Sequence, residues 1–254
     1  MVEFKDHFSG HAADYSTYRP TYPPELFCWL AAQAPASELA WDCATGSGQA
    51  AFLLAQYFEN VIATDASSEQ IKHAQQSRNI EYRVETAEHS SLDDKCVDLL
   101  VAAQAYHWLD HPAFLAEVRR VLKQGGLLAI VTYQLARVDE GELGNEIDEV
   151  IRVLWGDILD GWWPDERVLV DGGLQGLDFP FGEIVAPRFE MTVQWRMDEL
   201  LKYLGTWSSV KKYLAATGTD PLELISPDLE AAWGKPERAL KIAWPLELRV
   251  LIHR

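Results

Sequence analysis

Leu39-Ala40-Trp41-Asp42-Cys43-Ala44-Thr45-Gly46-Ser47-Gly48-Gln49-Ala50-Ala51 is the stretch that decides the fold. Its first four residues form a short apolar run that stops at small residues, as a buried strand does. Gly46 and Gly48 then allow a sharp turn and a close backbone approach to a ligand. From Gln49 to Phe58 the spacing of Phe52, Leu53, Ala55 and Phe58 predicts a helix. Strand, glycine turn and helix in this order make the first unit of a doubly wound sheet, whose ligands bind beyond the carboxyl ends of the strands.

The same rhythm continues downstream. Val61 to Asp65 reads as a second strand, and Ser67-Ser68-Glu69-Gln70 opens a helix with a capping hydroxyl and an early acid. Ile80 to Val84, Val97 to Ala103 and Leu127 to Thr132 complete five strands. Asp110 to Leu122 is a helix with Phe114, Leu115, Val118 and Val121 on one stripe, ended by Gly125-Gly126. Alternation of this kind predicts an α/β fold, a mostly parallel sheet wound on both faces. Upstream, a short helix is expected from His11 to Tyr18 and another from Pro23 to Ala34. After Tyr133 the rhythm breaks. Glu142 to Leu159 and Met197 to Ala216 each read as one long helix, Gly161 to Phe181 as irregular apart from a turn near Arg167, and Glu183 to Trp195 as a strand. Leu240 to Ile252 reads as a final strand or strand pair with Pro245 at an edge or bulge. The division expected is N-terminal helices over residues 1–36 covering the ligand site, then a main domain over 37–254 with helical cap segments at about 134–181 and 197–236.

Asp65 ends the second strand, where a carboxylate can accept both hydroxyl protons of a ribose. The spacing alone leaves the ligand open, because Gly46-x-Gly48-x-x-Ala51 also fits a dinucleotide fingerprint. A nicotinamide-dependent oxidoreductase and a non-catalytic cofactor-binding module therefore stand as rival readings. Asp42 argues against the first, since a carboxylate there repels a diphosphate and attracts an ammonium or sulfonium. The chain also lacks any Tyr-x-x-x-Lys pair.

Composition narrows the partners. With 48% hydrophobic residues the 254-residue chain can bury a sizeable core. A net charge of −17 argues against phosphate-backbone binding and against docking on an anionic membrane, so neither nucleic acid nor membrane is expected as a partner. No stretch has the roughly 18 apolar residues of a membrane span. Cys28, Cys43 and Cys96 are odd in number and form no CxxC, so no metal site is expected and a reducing cytoplasm is the simplest setting.

The stretch from Leu39 to Gly48 resembles motif I of the class I S-adenosylmethionine-dependent methyltransferases. It departs from the family at Ala44, where glycine is usual; alanine tolerates positive φ poorly, so the turn there is expected to differ. The resemblance continues through Ala63-Thr64-Asp65-Ala66-Ser67, Thr86-Ala87-Glu88, Gln104-Ala105-Tyr106-His107-Trp108 and Leu122-Lys123-Gln124-Gly125-Gly126. The Gln104 to Trp108 run, the run from Ala13 to Pro23 and Thr206-Trp207-Ser208-Ser209 resemble the type 11 subgroup that includes trans-aconitate methyltransferase.

The resemblance implies a Rossmann-like, seven-stranded sheet, S-adenosyl-L-methionine as cofactor, and transfer of its methyl group to a small-molecule acceptor, with a carboxylate as one candidate. It implies that Asp42 and the backbone of Ala44, Gly46 and Gly48 hold the methionine end and Asp65 the ribose. Ala66, Ala87 and Glu88 frame the adenine. Gln104, Ala105 and Tyr106 face the methyl and the acceptor. Arg19 is the candidate to pair with a carboxylate of cofactor or acceptor, and Tyr15 with it at the mouth. His107 is read either as packed or as a substrate contact or general base. Trp108 is expected to pack under the next helix, and Cys43 to fill the core. Trp155, Trp162, Trp163, Trp195, Trp207 and Trp233 serve either core packing or an aromatic acceptor pocket. Arg137, Arg188 and Arg196 are further candidates for positive charge there.

Overall fold

The computed structural model describes residues 19–254; Tyr15 and the helix expected over 11–18 lie outside the described residues. Helix α1 (Pro24–Gln33) enters with prolines before and in its first turn, and its Leu26, Phe27 and Leu30 are buried. Strand β1 (Leu39–Cys43), helix α2 (Gln49–Leu54), β2 (Asn60–Asp65), α3 (Ser68–Lys72), β3 (Ile80–Val84), β4 (Val97–Ala103), α4 (His111–Val121) and β5 (Leu122–Tyr133) follow. Helix α2 ends four residues before Phe58, the last residue expected in it. The Ser67 hydroxyl caps α3 by accepting from the Gln70 N–H, and the Asp110 carboxylate caps α4 by accepting from the Ala113 N–H.

The strands lie in the order β3-β2-β1-β4-β5, all parallel. The order reverses between β1 and β4, which opens a crevice at their carboxyl ends. Strand β9 (Leu240–Ile252) closes the sheet antiparallel to β5, and β7 (Gly182–Ile184) pairs its far side. These seven strands are extended to nine by β6 (Arg137–Val138) and β8 (Glu190–Trp195), which both pair the first half of β9. Pro245 stands where β9 changes neighbours: residues 246–252 pair β5 and residues 240–245 pair β8. A residue without an N–H fits that handover.

Several elements depart from the sequence expectation. Gly125-Gly126 does not end a helix. Leu122 is already extended, and Gly125 at φ +80° sits inside β5, donating to the His253 carbonyl at 2.7 Å. The pattern from Glu183 to Trp195 is two strands, interrupted where Pro187 lacks a ladder donor. The helix expected over Met197 to Ala216 is two helices, α7 (Met197–Gly205) and α8 (Ser208–Thr217). The Thr206 hydroxyl donates to the Tyr203 carbonyl at 2.6 Å, and Trp207 turns extended to pack its ring against Tyr203 and Trp163. Helix α5 (Gly141–Arg152) passes into a π-helical stretch (Val153–Ile158). Around Arg167 lie a 3-10 turn (Asp165–Arg167) and the four-residue α6 (Val168–Asp171). Helix α9 (Pro221–Trp233) was not anticipated. It tolerates Pro227 on its exposed face while Ile225, Leu229 and Trp233 form a buried stripe four residues apart.

Candidate functional site

The turn after β1 carries three left-handed residues in five, Ala44 (φ +51°), Gly46 (φ +56°) and Gly48 (φ +81°). Ala44 therefore adopts the left-handed conformation despite its Cβ, contrary to the expectation that the turn would differ there. Its neighbours enforce this: the Thr45 N–H donates to the Thr64 carbonyl at 2.9 Å and the Gly48 N–H to the Thr45 carbonyl at 3.0 Å. Asp65 locks the turn to β2, accepting the Gly46 N–H at 2.9 Å and the Ser67 N–H at 2.8 Å. Asp42 is 1% exposed and accepts the Ala51 N–H at 2.9 Å and the Thr45 hydroxyl. Burial, with a smaller push from Asp65, raises its carboxyl to about 7 against the hydrogen bonds that favour the anion. Burial likewise pushes the Cys43 thiol up, and Cys43 lies in the core as expected.

These residues open on a cavity of about 900 Å³, within the size range of ligand pockets. Of the residues singled out from the sequence, Arg19, Asp42, Ala44 and Gly46 line it. So do Asp65, Ala66, Ala87 and Glu88, and on the side of β4, Gln104, Ala105 and His107. Thr45, Ser67 and Gln70 line it too, and the sequence reading gave them no role in holding a ligand. Six carboxylates line the cavity, Asp42, Asp65, Glu85, Glu88, Asp110 and Glu166, which suits a ligand with positive charge and opposes a diphosphate.

Two assigned residues lie elsewhere. Gly48 is behind the wall: a Cβ there would collide with the Tyr82 hydroxyl oxygen, so its role is the turn and close packing. Tyr106, expected to face the acceptor, is 3% exposed on the opposite side of the turn. It stacks on His111 at 4.2 Å and meets Phe114 edge-on. Trp108, expected to pack under α4, is instead partly buried at the cavity wall beside His107, 4.6 Å between rings. The reason is the 3-10 turn Tyr106–Trp108, which sends consecutive side chains in different directions.

Beyond Gln104 lies a second, smaller cavity of about 110 Å³. Arg19, Gln104, His107, Trp108 and Tyr133 belong to both linings. Gln104 sits at φ +53° and its side-chain oxygen accepts the Tyr133 N–H at 3.1 Å, which fixes the partition between them. Arg19 donates to the Tyr133 hydroxyl and lies over the Tyr203 ring at 5.6 Å. His107 is held neutral: burial, then the positive charge of Arg167, lowers its ring to about 4. Trp163 and Trp207 line the smaller cavity, whereas Trp233 is buried core and Trp195 packs on Tyr203 and Trp244. The positive charge comes from Arg167 and Lys211. Arg137 pairs with Glu190 and Arg196 with Glu199, neither at the cavity, and Arg188 is exposed.

Among the described residues no helix is long and apolar enough to cross a membrane. A family described as "Methyltransferase domain", of type 11, matches residues 41–130. A Dictyostelium discoideum protein assigned as a methyltransferase is 30% identical over 233 residues, 91% of this chain and 88% of its own length. A solved structure from Anaeromyxobacter dehalogenans, described as a type II methyltransferase, is 46% identical with a TM-score of 0.86, covering 93% of this chain and 98% of that one. The YcgJ protein of Bacillus subtilis shares the fold at 16% identity, with a TM-score of 0.51 over 91% of this chain and 98% of its own. The chain belongs to the class I S-adenosylmethionine-dependent methyltransferases of type 11.

Proposed function

We propose that the chain methylates a carboxylate oxygen of a small-molecule acceptor lodged in the smaller cavity. The observation that carries this reading is the lining of that cavity. It includes Arg19, Arg167 and Lys211 and, among the described residues, no carboxylate, in a chain of net charge −17. The same net charge supports a small anion over a nucleic acid, which requires a basic surface.

The larger cavity fits the cofactor. In this reading Asp42 and Arg19 hold the ammonium and carboxylate of its methionine end, with the backbone of Ala44 and Gly46. Asp65 holds the ribose, and Ala66, Ala87 and Glu88 frame the adenine. When bound, S-adenosylmethionine supplies an activated methyl on a cationic sulfur; the acceptor oxygen takes it as the carbon–sulfur electron pair stays on sulfur, and no proton has to leave. The protein's part is alignment and exclusion of water. Gln104, Tyr133 and the neutral His107 bound the junction, and Trp108 closes it. A ring lowered to about 4 is a weak base, which supports an acceptor that is already an anion. The segment before β1 is assigned to the cover of the cofactor cavity, since Arg19, Pro20 and Tyr22 line it.

Thermal unfolding with S-adenosylhomocysteine tests the cofactor half. At 100 times its dissociation constant it should stabilise the fold by about 2.7 kcal/mol, and an unmoved midpoint sinks the assignment. Methyl transfer from labelled cofactor to small carboxylates tests the rest. Ester products release methanol in base, and base-stable products would refute the carboxylate reading.

A further inference from the structure

We infer that Tyr82 is a positioning residue for cofactor binding: from behind the larger cavity, its hydroxyl holds the glycine turn in place. The inference rests on the assignment of that cavity to S-adenosylmethionine.

Strand β2 fixes the turn only as far as Gly46, through the Thr64 carbonyl on the Thr45 N–H and Asp65 on the Gly46 N–H. The next peptide, Ser47–Gly48, is bonded differently at its two ends. Its N–H stays within the turn and donates to the Thr45 carbonyl at 3.0 Å, while its carbonyl accepts the Gln75 N–H at 3.1 Å. Ser47 lines the cavity, so this peptide belongs to the cofactor wall. Gln75 lies in the segment of residues 73–79 between α3 and β3. That segment is tied down at its far end, where the Asn79 amide donates to the Ala55 and Phe58 carbonyls at 2.9 and 3.0 Å. At Gln75 the tie is the Tyr82 hydroxyl, which donates to the Gln75 carbonyl at 2.5 Å. The same phenol end packs on Gly48, whose missing Cβ leaves room for it. One side chain of β3 thus reaches the turn twice, directly at Gly48 and through Gln75 at Ser47. Tyr82 does not itself line the cavity, so its effect on a ligand passes through the turn. Burial, then the charge of Asp42, pushes the phenol up to about 12, which keeps the hydroxyl a donor at neutral pH. A turn held in one geometry before the ligand arrives binds more tightly, because less ordering remains to be done.

The test compares the parent with Tyr82→Phe, which keeps the ring on Gly48 and removes the hydroxyl. In calorimetry at a temperature where both are fully folded, the S-adenosylhomocysteine dissociation constant should rise about three- to fivefold, in the lower range for one hydrogen bond because Tyr82 is half-buried. Amide hydrogen exchange without ligand should quicken at Gln75. It should stay unchanged at Val61, whose N–H donates to the Asn79 carbonyl at 2.8 Å. An unchanged dissociation constant would overturn the inference. So would exchange that quickens equally at Gln75 and Val61, since the hydroxyl would then serve general stability alone. If the parent itself fails to bind S-adenosylhomocysteine, the assignment of the cavity falls and the inference with it.

Discussion

Asp42 offers the most direct test of how the cofactor end is built. The carboxyl is buried, and its ionised form is disfavoured from the ordinary 3.8 to about 7. At about 1.4 kcal/mol for each tenfold change in proton affinity, ionised Asp42 costs the ligand-free fold about 4 kcal/mol. The folded state binds the proton more tightly than the unfolded chain, so folding takes up a proton between about pH 4 and pH 7. The stability this carboxyl contributes is full below about pH 4, falls as the pH rises, and is gone above about pH 7. Asp42→Asn removes the charge and keeps an acceptor for the Ala51 N–H, bonded at 2.9 Å. In urea unfolding without ligand, the variant should gain on the parent by about 2–3 kcal/mol between pH 5 and pH 8. Binding should run the other way. An ammonium brought to Asp42 stabilises the anion, so the parent's affinity for S-adenosylhomocysteine should climb up to tenfold for each pH unit below 7 and then level off. The variant should bind weakly and without that slope. Parallel stability curves from pH 5 to pH 8 would refute the burial argument. A variant that keeps full affinity would refute the role in holding the methionine end.

Gly48→Ala should destabilise the fold by about 1–2 kcal/mol from its left-handed backbone alone, and by more because the new Cβ collides with the Tyr82 hydroxyl; a change below about 0.5 kcal/mol in urea unfolding would contradict the packing described. Ala44→Gly removes the penalty at φ +51° and should stabilise by about 0.5–1 kcal/mol after the entropy of glycine is subtracted; a loss of stability by the same assay would show that the left-handed turn is wrong. The His107 ring, lowered to about 4 by burial and Arg167, should show no protonation above pH 5 in an NMR titration, and a midpoint near 6.5 would remove the argument for a neutral junction.

The parallel half of the sheet was legible because β1, β2 and β4 are buried apolar runs cut off by polar or small residues, while β3 is a half-exposed alternation of apolar and charged residues. Val97 to Ala103 and Ile80 to Val84 have the bounds read from sequence, and Asp42 and Asp65 fall at strand ends because those runs stop there. Local spacing failed wherever a side chain's direction depends on a turn. Tyr106 and His107 are neighbours, yet one packs among His111 and Phe114 and the other lines the cavity. Pro227 argues locally against α9, since a proline inside a helix lacks the ladder donor and crowds the preceding turn, yet the helix runs through it with Pro227 on its exposed face. Arg167 and Lys211 meet at one cavity from distant segments, with no motif joining them.

That difference separates the two sides of the site. The wall of the larger cavity comes largely from one contiguous stretch, β1 to the 3-10 turn after β4, and it carries strand-end carboxylates and the glycine turn. The family match at residues 41–130 covers this stretch. The far wall of the smaller cavity comes from segments after β5 and after β8. A chain of rings ties it to the sheet: Trp244 of β9 lies 5.2 Å from Tyr203, Tyr203 6.0 Å from Trp207, and Trp207 5.4 Å from Trp163. The Trp244 indole N–H donates to the Tyr203 hydroxyl at 2.9 Å, which leaves that buried pair satisfied. A substitution at Trp163, Arg167, Trp207 or Lys211 therefore reshapes the smaller cavity without touching Asp42, Asp65 or the glycine turn. Outside the five residues that the two cavities share, different stretches of chain, each with its own anchorage, build their walls.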